Sequence, residues 1–421
     1  MWLPVYALLV ALAALLLPIP VQAQANRTTT VLMQFQPDVT PTQRAATIAA
    51  MGGEEVAWLA QIHVAEVRLF TADERTFAVA AADLPSGDGL VFSEIDTPVV
   101  AAALPNDPAF GDAQMRYALD RVQAPAAWNI TFGSAAITIA VVDSGVKLNH
   151  PAFAGRLVPG YDFVNQDEWA DDDAGHGTHV AGIIAAAAND GQGMAGLCPN
   201  CRIMPVKVLN QYSLGTWSHL AQGILFAADN GAQIINLSLG ATIPSQTLEA
   251  AVNYALDKGV ILVAAAGNHG SDAPFYPAAL DGVIAVSATT AQDDLWNRSA
   301  FGDYIDFAAP GELVFSTYHD LDNPFGGYTY MSGTSMAAPF VSALAGLVLS
   351  MEPRLDRAAV ITAMTLGADD LGTPGWDPAF GHGRINAPAT LTAPVPGLQE
   401  AVNDIVHPAL AQMLYLPALR N

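Results

Sequence analysis

The chain has 421 residues, enough for two or three domains and a large apolar core. It carries 40 Asp and Glu against 16 Lys and Arg, a formal net charge of −24. A surface of that sign repels polyanions, which argues against nucleic acid and anionic lipid as partners.

The chain begins "MWLPVYALLVALAALLLPIPVQAQ". The apolar run is short, is broken by Pro18 and Pro20, and ends in the small-x-small pattern Val21-Gln22-Ala23. It reads as a secretory signal peptide over residues 1–23, and so as an exported, extracellular protein. The rival is an uncleaved N-terminal anchor, favoured only by the lack of Lys and Arg ahead of the apolar run. No cysteine lies near the cut, which argues against a lipid anchor, and no second stretch reads as a membrane span.

Residues 24–102 read as a small α+β unit. "TVLMQFQ" has strand character, and "TPTQRAATIAAMGG" is a helix with Thr40 near its cap and glycines at its end. "EEVAWLA" and "IHVAEVRLF" follow as strands, "TADERTFAVAAAD" as a second helix and "GLVFSEID" as a last strand. The order βαββαβ is the ferredoxin-like pattern. The stretch "TPVVAAALPNDPAF" then reads as an extended linker and a processing site.

From 103 to 392 continuous apolar strands alternate with helical stretches. The strands are "AITIAVVDSG", "RIMPVKVLN", "QIINLSLG", "VILVAAAGN", "GVIAVSATT" and "IDFAAPG". The pattern predicts a doubly wound α/β domain with a mostly parallel sheet covered on both faces, its reactive groups at the carboxyl ends of the strands. Residues 393–421 form a tail with a short helix, an apolar end and no assigned role. The two cysteines, Cys198 and Cys201, stand in "CPNC"; in an exported chain this spacing favours a small structural disulfide over redox chemistry or zinc.

Four stretches carry chemistry. "AVVDSGV" puts Asp143 at a strand end, "GHGTHVAG" puts His176 at a glycine-flanked helix start, and "GTSMAAP" puts Ser335 at another helix start. A serine needs a base to take its proton, an imidazole titrates near neutrality, and a buried carboxylate holds that imidazole in the useful tautomer. "AAAGN" places Asn268 at a strand end, where its amide can donate to an oxyanion. Each is weak alone: serine caps helices, and an Asp at a strand end is more often a turn residue. His179, one helical turn beyond His176, reads as a packing residue.

Together the four stretches resemble the subtilisin-like serine proteases, the subtilase family. The resemblance covers about residues 103–392 and rests on "NDPAF", "NHPAFAG", "GHGTHVAG", "NLSLG", "VAAAGN", "FAAPG", "SGTSMAAP" and "GHGRINA". The order Asp, His, Ser belongs to that family; chymotrypsin-like enzymes run His, Asp, Ser, and an α/β-hydrolase would carry G-x-S-x-G with its histidine last. The resemblance implies a serine endopeptidase with Asp143, His176 and Ser335 as triad. It also implies an oxyanion hole made by Asn268 and the Ser335 N–H.

Leu214-Gly215 and Ser238-Leu239-Gly240 resemble the family's two edge segments, between which an extended peptide adds as a strand. Ala264, Ala265, Ala266 and Gly267 would line the first pocket, with Asp272 an exposed loop acid nearby. The N-terminal unit resembles the family's inhibitory propeptides, so the chain is expected to act on peptides and proteins, to inhibit and process itself, and to work as a monomer. Calcium is implied at two places. At one, Asp107, Asp190 and Gln192 match ligand positions, but Ala152 stands where the family has an aspartate. At the other, Asp162, Asp167 and Asp171, with Asn165, lie in an acidic loop, and that loop is the expected holder. The competing function is a catalytically silent peptide-binding module on the same fold; all four catalytic positions are filled, which speaks against it.

Overall fold

A computed structural model describes residues 29–69, 89–95 and 104–402. The chain divides into two compact units between Val99 and Val100. The predicted signal peptide, the second helix of the N-terminal unit, the first half of the linker and the end of the tail lie outside the described residues.

In the first unit β1 (Thr29–Phe35), β2 (Gly53–Leu59), β3 (Val64–Leu69) and β4 (Leu90–Ile95) form one sheet in the order β2-β3-β1-β4. That is the order a βαββαβ chain produces when its strands pair antiparallel, as β1 does with β3 and β4. Helix α1 (Pro41–Ala50) starts at a capping box in which Thr40 and Gln43 satisfy each other's backbone N–H groups. Val31, Met33, Phe35, Ala65, Val67 and Leu69 alternate along β1 and β3 to form its core with Ile48 of the helix.

The second unit is built on a seven-stranded parallel sheet. Its strands are β5 (Thr138–Asp143), β6 (Tyr161–Asp162), β7 (Arg202–Lys207), β8 (Ile234–Leu237), β9 (Ile261–Ala265), β10 (Ile284–Thr289) and β11 (Phe307–Pro310). Their order is β11-β10-β9-β8-β5-β7-β6, every pairing being parallel. Alternation along β5 divides the core: Ile139 and Val141 face one side, Ala140 and Val142 the other. The first side is covered by α4 (His176–Ala185) and α7 (Thr334–Met351), the second by α5 (Trp217–Asp229) and α6 (Gln246–Asp257). This is the doubly wound arrangement expected from the sequence.

Helices α2 (Ala113–Arg121), α3 (Ala124–Trp128), α8 (Arg357–Gly367) and α9 (Ala387–Leu391) complete the first layer with a hairpin, β12 (Val314–Thr317) and β13 (Tyr328–Met331). Helix α7 is long and apolar enough to cross a bilayer, but 83% of it is buried within the protein, so it is a core helix. The "NDPAF" end of the linker is a 3-10 turn, Pro108–Gly111, with Asp107 buried before it. Ala393, Val395 and Leu398 at the start of the tail join the core. Cys198 and Cys201 form a disulfide, both sulfurs fully buried beside α7.

Candidate active site

The sheet's order reverses at β5: β7 and β6 lie on one side, β8 to β11 on the other. A crevice opens at the carboxyl ends of strands where such a reversal occurs. Asp143 ends β5, Ser238 follows β8, and Asn268 lies just beyond β9, so three neighbouring strands deliver polar groups to one edge. His176 opens α4 and Ser335 lies in the first turn of α7, the two helices that pack above that edge.

Asp143 is fully buried. Its Oδ1 accepts the Ser144 N–H at 2.7 Å and lies 2.7 Å from His176 Nδ1. The carboxylate oxygen can only accept, so Nδ1 carries the proton and Nε2 of the neutral ring is left as a base. Gly177 permits the contact: a Cβ there would lie 2.1 Å from Gly145 O and 3.1 Å from Asp143 Cβ. Burial works against the imidazolium, but the Asp143 carboxylate, by charge and by hydrogen bond, and the Asp172 carboxylate outweigh it. The His176 pKa therefore stands above its ordinary 6.5.

Sequence reasoning missed Asp172. Its Oδ1 accepts from Ser144 Oγ, Ala174 N and Gly175 N, and its Oδ2 from Thr178 N and Oγ1. One buried carboxylate thus caps the start of α4 and ties it to the Asp143–Ser144 turn. Lys207 was missed as well. It is 1% exposed, and its Nζ donates to Ser144 O, Leu209 O and Asp173 Oδ1. Asp172 stood in an acidic run and Lys207 in an apolar strand, so neither carried a local signal.

The Ser335 hydroxyl donates to Ser238 O at 3.0 Å, so in this structure it is turned toward Ser238. The carbonyl of Ser335 accepts from Ser238 Oγ at 2.8 Å. Pro339, four residues along α7, has no N–H, and that leaves the Ser335 carbonyl without its helical partner. The proline of "GTSMAAP" thus hands this carbonyl to the strand edge. The Ser335 N–H belongs to the first turn, where a helix leaves its N–H groups without intrahelical acceptors. Asn268 Oδ1 accepts from Thr334 N and Oγ1 at 2.8 and 2.9 Å, which reserves Nδ2 for another acceptor. A Cβ on Gly333 would lie 3.2 Å from Asn268 Nδ2 and 3.6 Å from Ser335 N, so both donors border one small space.

His176, Ser335 and Asn268 line a cleft of about 630 Å³. Leu214, Gly215, Ser238, Leu239 and Gly240 line it too, with Ala265 and Gly267. Ala264 and Ala266 do not: strand alternation turns their side chains into the core beneath α6, so the expectation that they face the pocket is corrected. Asp272 is an exposed loop residue that does not border the cleft. His179 is buried, and its Nε2 lies 3.1 Å from Val314 O and 3.2 Å from Thr329 O. Burial and then the charge of His176 push its pKa down to about 3, which suits a neutral tether between α4 and the hairpin.

The carboxylates of the acidic loop are already engaged. Asp162 accepts from Val164 N, Asn165 N and Asn165 Nδ2, and Asp167 accepts from Trp169 N. Asp171 pairs with Lys147 at 2.8 Å, and Asp173 with Lys207 at 2.6 Å. These acids cap turns or meet lysines and are not drawn together around one point, whereas calcium takes about six to eight oxygens about a single centre. Asp107 and Asp190 do come together. Burial first, and the Asp190 carboxylate after it, raise the Asp107 pKa against the Asn189 and Asp190 N–H groups that lower it. Among the described residues no three His, Cys, Asp or Glu side chains gather as a metal-holding group.

A scan of protein families matches residues 134–383 to the subtilase family. The chain belongs to the subtilase family. Thermitase of Thermoactinomyces vulgaris is 44% identical over 283 residues, which is 67% of this chain and 97% of that protein. A thermophilic serine proteinase of Bacillus sp. (strain AK1) is 43% identical, over 68% of this chain and 69% of its own. Subtilisin Savinase of Lederbergia lenta is 39% identical over 65% of this chain and 97% of its own. A solved protease of Pseudoalteromonas arctica PAMC 21717 superposes with a TM-score of 0.62 at 29% identity, covering 69% of this chain and 99% of that one. This subtilase is a serine endopeptidase.

The carboxylates around His176 set a measurable quantity. Followed by NMR, the His176 imidazole should titrate above 6.5. Asp172→Asn removes one of the charges that favour the imidazolium, so it should lower that midpoint. An unmoved midpoint would remove Asp172 from the electrostatics of the site.

Proposed function

We propose that this subtilase is secreted, processes itself from a precursor, and hydrolyses peptide bonds with Asp143, His176 and Ser335 as its triad. The observation that carries the reading is the 2.7 Å Asp143–His176 bond on a cleft that Ser335 and Asn268 also line. Ser335 Oγ attacks the scissile carbonyl carbon, and its proton passes to His176 Nε2. Asp143 holds Nδ1–H and stabilises the imidazolium. The carbonyl oxygen becomes an oxyanion that accepts from Asn268 Nδ2 and Ser335 N–H. Collapse breaks the C–N bond, and His176 returns the proton to the leaving amine. Water then repeats the sequence on the acyl-enzyme and releases the acid. The Ser335 hydroxyl must leave Ser238 O for this to begin.

The substrate is an extended peptide laid against the 214–215 and 238–240 edges, where main-chain bonds supply affinity. Among the described residues no Asp, Glu, Lys or Arg lines the cleft, which supports a preference for apolar side chains. Residues 24–102 act as the inhibitory propeptide. Two features support this: the β2-β3-β1-β4 sheet, and the exposed apolar side chains Val56, Leu59, Ile62, Val91 and Phe92. All the proposed groups lie in one chain, in keeping with a monomer. Asp107 and Asp190 would hold a structural calcium that relieves their repulsion, and no step of hydrolysis passes through it.

Three experiments test this. Ser335→Ala should abolish peptide cleavage, with a loss on the order of 10⁶ as for a related subtilisin, and intact mass should show an unprocessed precursor. Normal maturation of the purified variant would overturn the assignment. Asn268→Ala should lower kcat about 10²–10³-fold at little change in KM, the size seen when such a donor is removed from a subtilisin; an unchanged kcat would take Asn268 out of the oxyanion hole. For calcium, the Ser335→Ala protein should melt lower in excess chelator than in millimolar calcium, and Asp107→Asn should close that gap. Coincident curves for the parent would remove calcium from the reading.

A further inference from the structure

Behind Ser335 runs a line of buried polar groups that the triad does not use. Ser342 lies two turns further along α7, fully buried, and its hydroxyl donates to Asn236 Oδ1 at 2.8 Å. Asn236, in the middle of β8 and also fully buried, donates through Nδ2 to Ser238 Oγ at 2.9 Å. Ser238, 3% exposed, donates to the Ser335 carbonyl that Pro339 left open.

The direction of every bond follows from chemistry. Asn236 Oδ1 can only accept, so Ser342 must donate to it. That holds the amide with its NH₂ toward Ser238. Ser238 Oγ then receives a proton from Asn236 and has its single hydrogen free for Ser335 O. With the amide turned over, Ser238 would have to donate to Oδ1 and could not also donate to Ser335 O. A partly buried carbonyl on the nucleophile's own residue would lose its partner, which is a costly arrangement.

We propose that Ser342 is a positioning residue for the nucleophile, acting through Asn236 and Ser238 to fix the backbone of Ser335. This rests on Ser335 being the nucleophile. Ser342 touches no substrate; it decides which way the Asn236 amide faces, and so whether the first turn of α7 is held against the end of β8. Ser238 belongs to the edge that receives the peptide, but the relay uses its hydroxyl and leaves the main-chain groups of that edge unchanged, so the effect belongs on chemistry rather than on peptide binding.

The test is a double-mutant cycle in the full-length, self-processed enzyme, read by peptide hydrolysis and by the rate at which a fluorophosphonate labels Ser335. Ser342→Ala should lower kcat and the labelling rate about three- to tenfold, the worth of one hydrogen bond, with KM unchanged. Ser342→Thr, which keeps the hydroxyl, should recover most of that loss. Ser238→Ala should cost a similar factor, and adding Ser342→Ala to it should cost little more, because the route to Ser335 is already cut. Additive losses, or a lowered melting temperature with kcat and labelling unchanged, would overturn the proposal and leave Ser342 a core residue. Failure of the parent enzyme to label at Ser335 would overturn the nucleophile assignment itself, and this inference with it.

Discussion

The site depends on the register of three adjacent parallel strands, β9, β8 and β5. Pairing sets Val141 beside Asn236 and Asn236 beside Val263, so the three strands end level with one another. Neighbouring strands lie roughly 4.8 Å apart, which spaces Asp143, Ser238 and Asn268 along one edge within reach of a single peptide unit. A slip of one residue in β5 would turn Asp143 to the opposite face, away from His176. Buried apolar contacts on both sides of the sheet hold that register, so the core and the site are one construction problem.

Two helices complete what the strands begin, and both are fastened by polar groups at their first turns. Asp172 collects N–H and O–H groups from the start of α4 and from Ser144, and so couples His176 to the turn that carries Asp143. Pro339 opens the first turn of α7, and Ser238 closes it. A helix start offers N–H groups that need acceptors. In α4 a carboxylate answers that need; in α7 Asn268 Oδ1 answers it for the Thr334 N–H, and the Ser335 N–H is the donor the proposed mechanism uses.

Charge shows what a local reading leaves out. The chain is strongly acidic, and the run from Asp162 to Asp173 invites a cation. In the folded protein the five aspartates are used one at a time, two against buried or half-buried lysines and the other three as caps of turns and of α4. Lys147 and Lys207 are distant in sequence from the acids they meet, so spacing alone could not reveal the pairing. Asp107 and Asp190 show the reverse: each is an isolated acid in the sequence, and the fold brings them together.

The sequence by itself determined the family, the α/β class, the strands that bear Asp143 and Asn268 and the helices that bear His176 and Ser335. Those features are written in short windows: apolar runs of strand length, glycines at helix starts, and motifs whose residue types are tied to one chemistry. Tertiary structure alone decided the rest. It turned Ala264 and Ala266 away from the cleft, because a strand's side chains alternate and only pairing says which face is which. It drew Asp172, Lys207 and the Ser342–Asn236–Ser238 line into the site, because a hydrogen bond is fixed by distance in space and these partners come from separate elements of the chain.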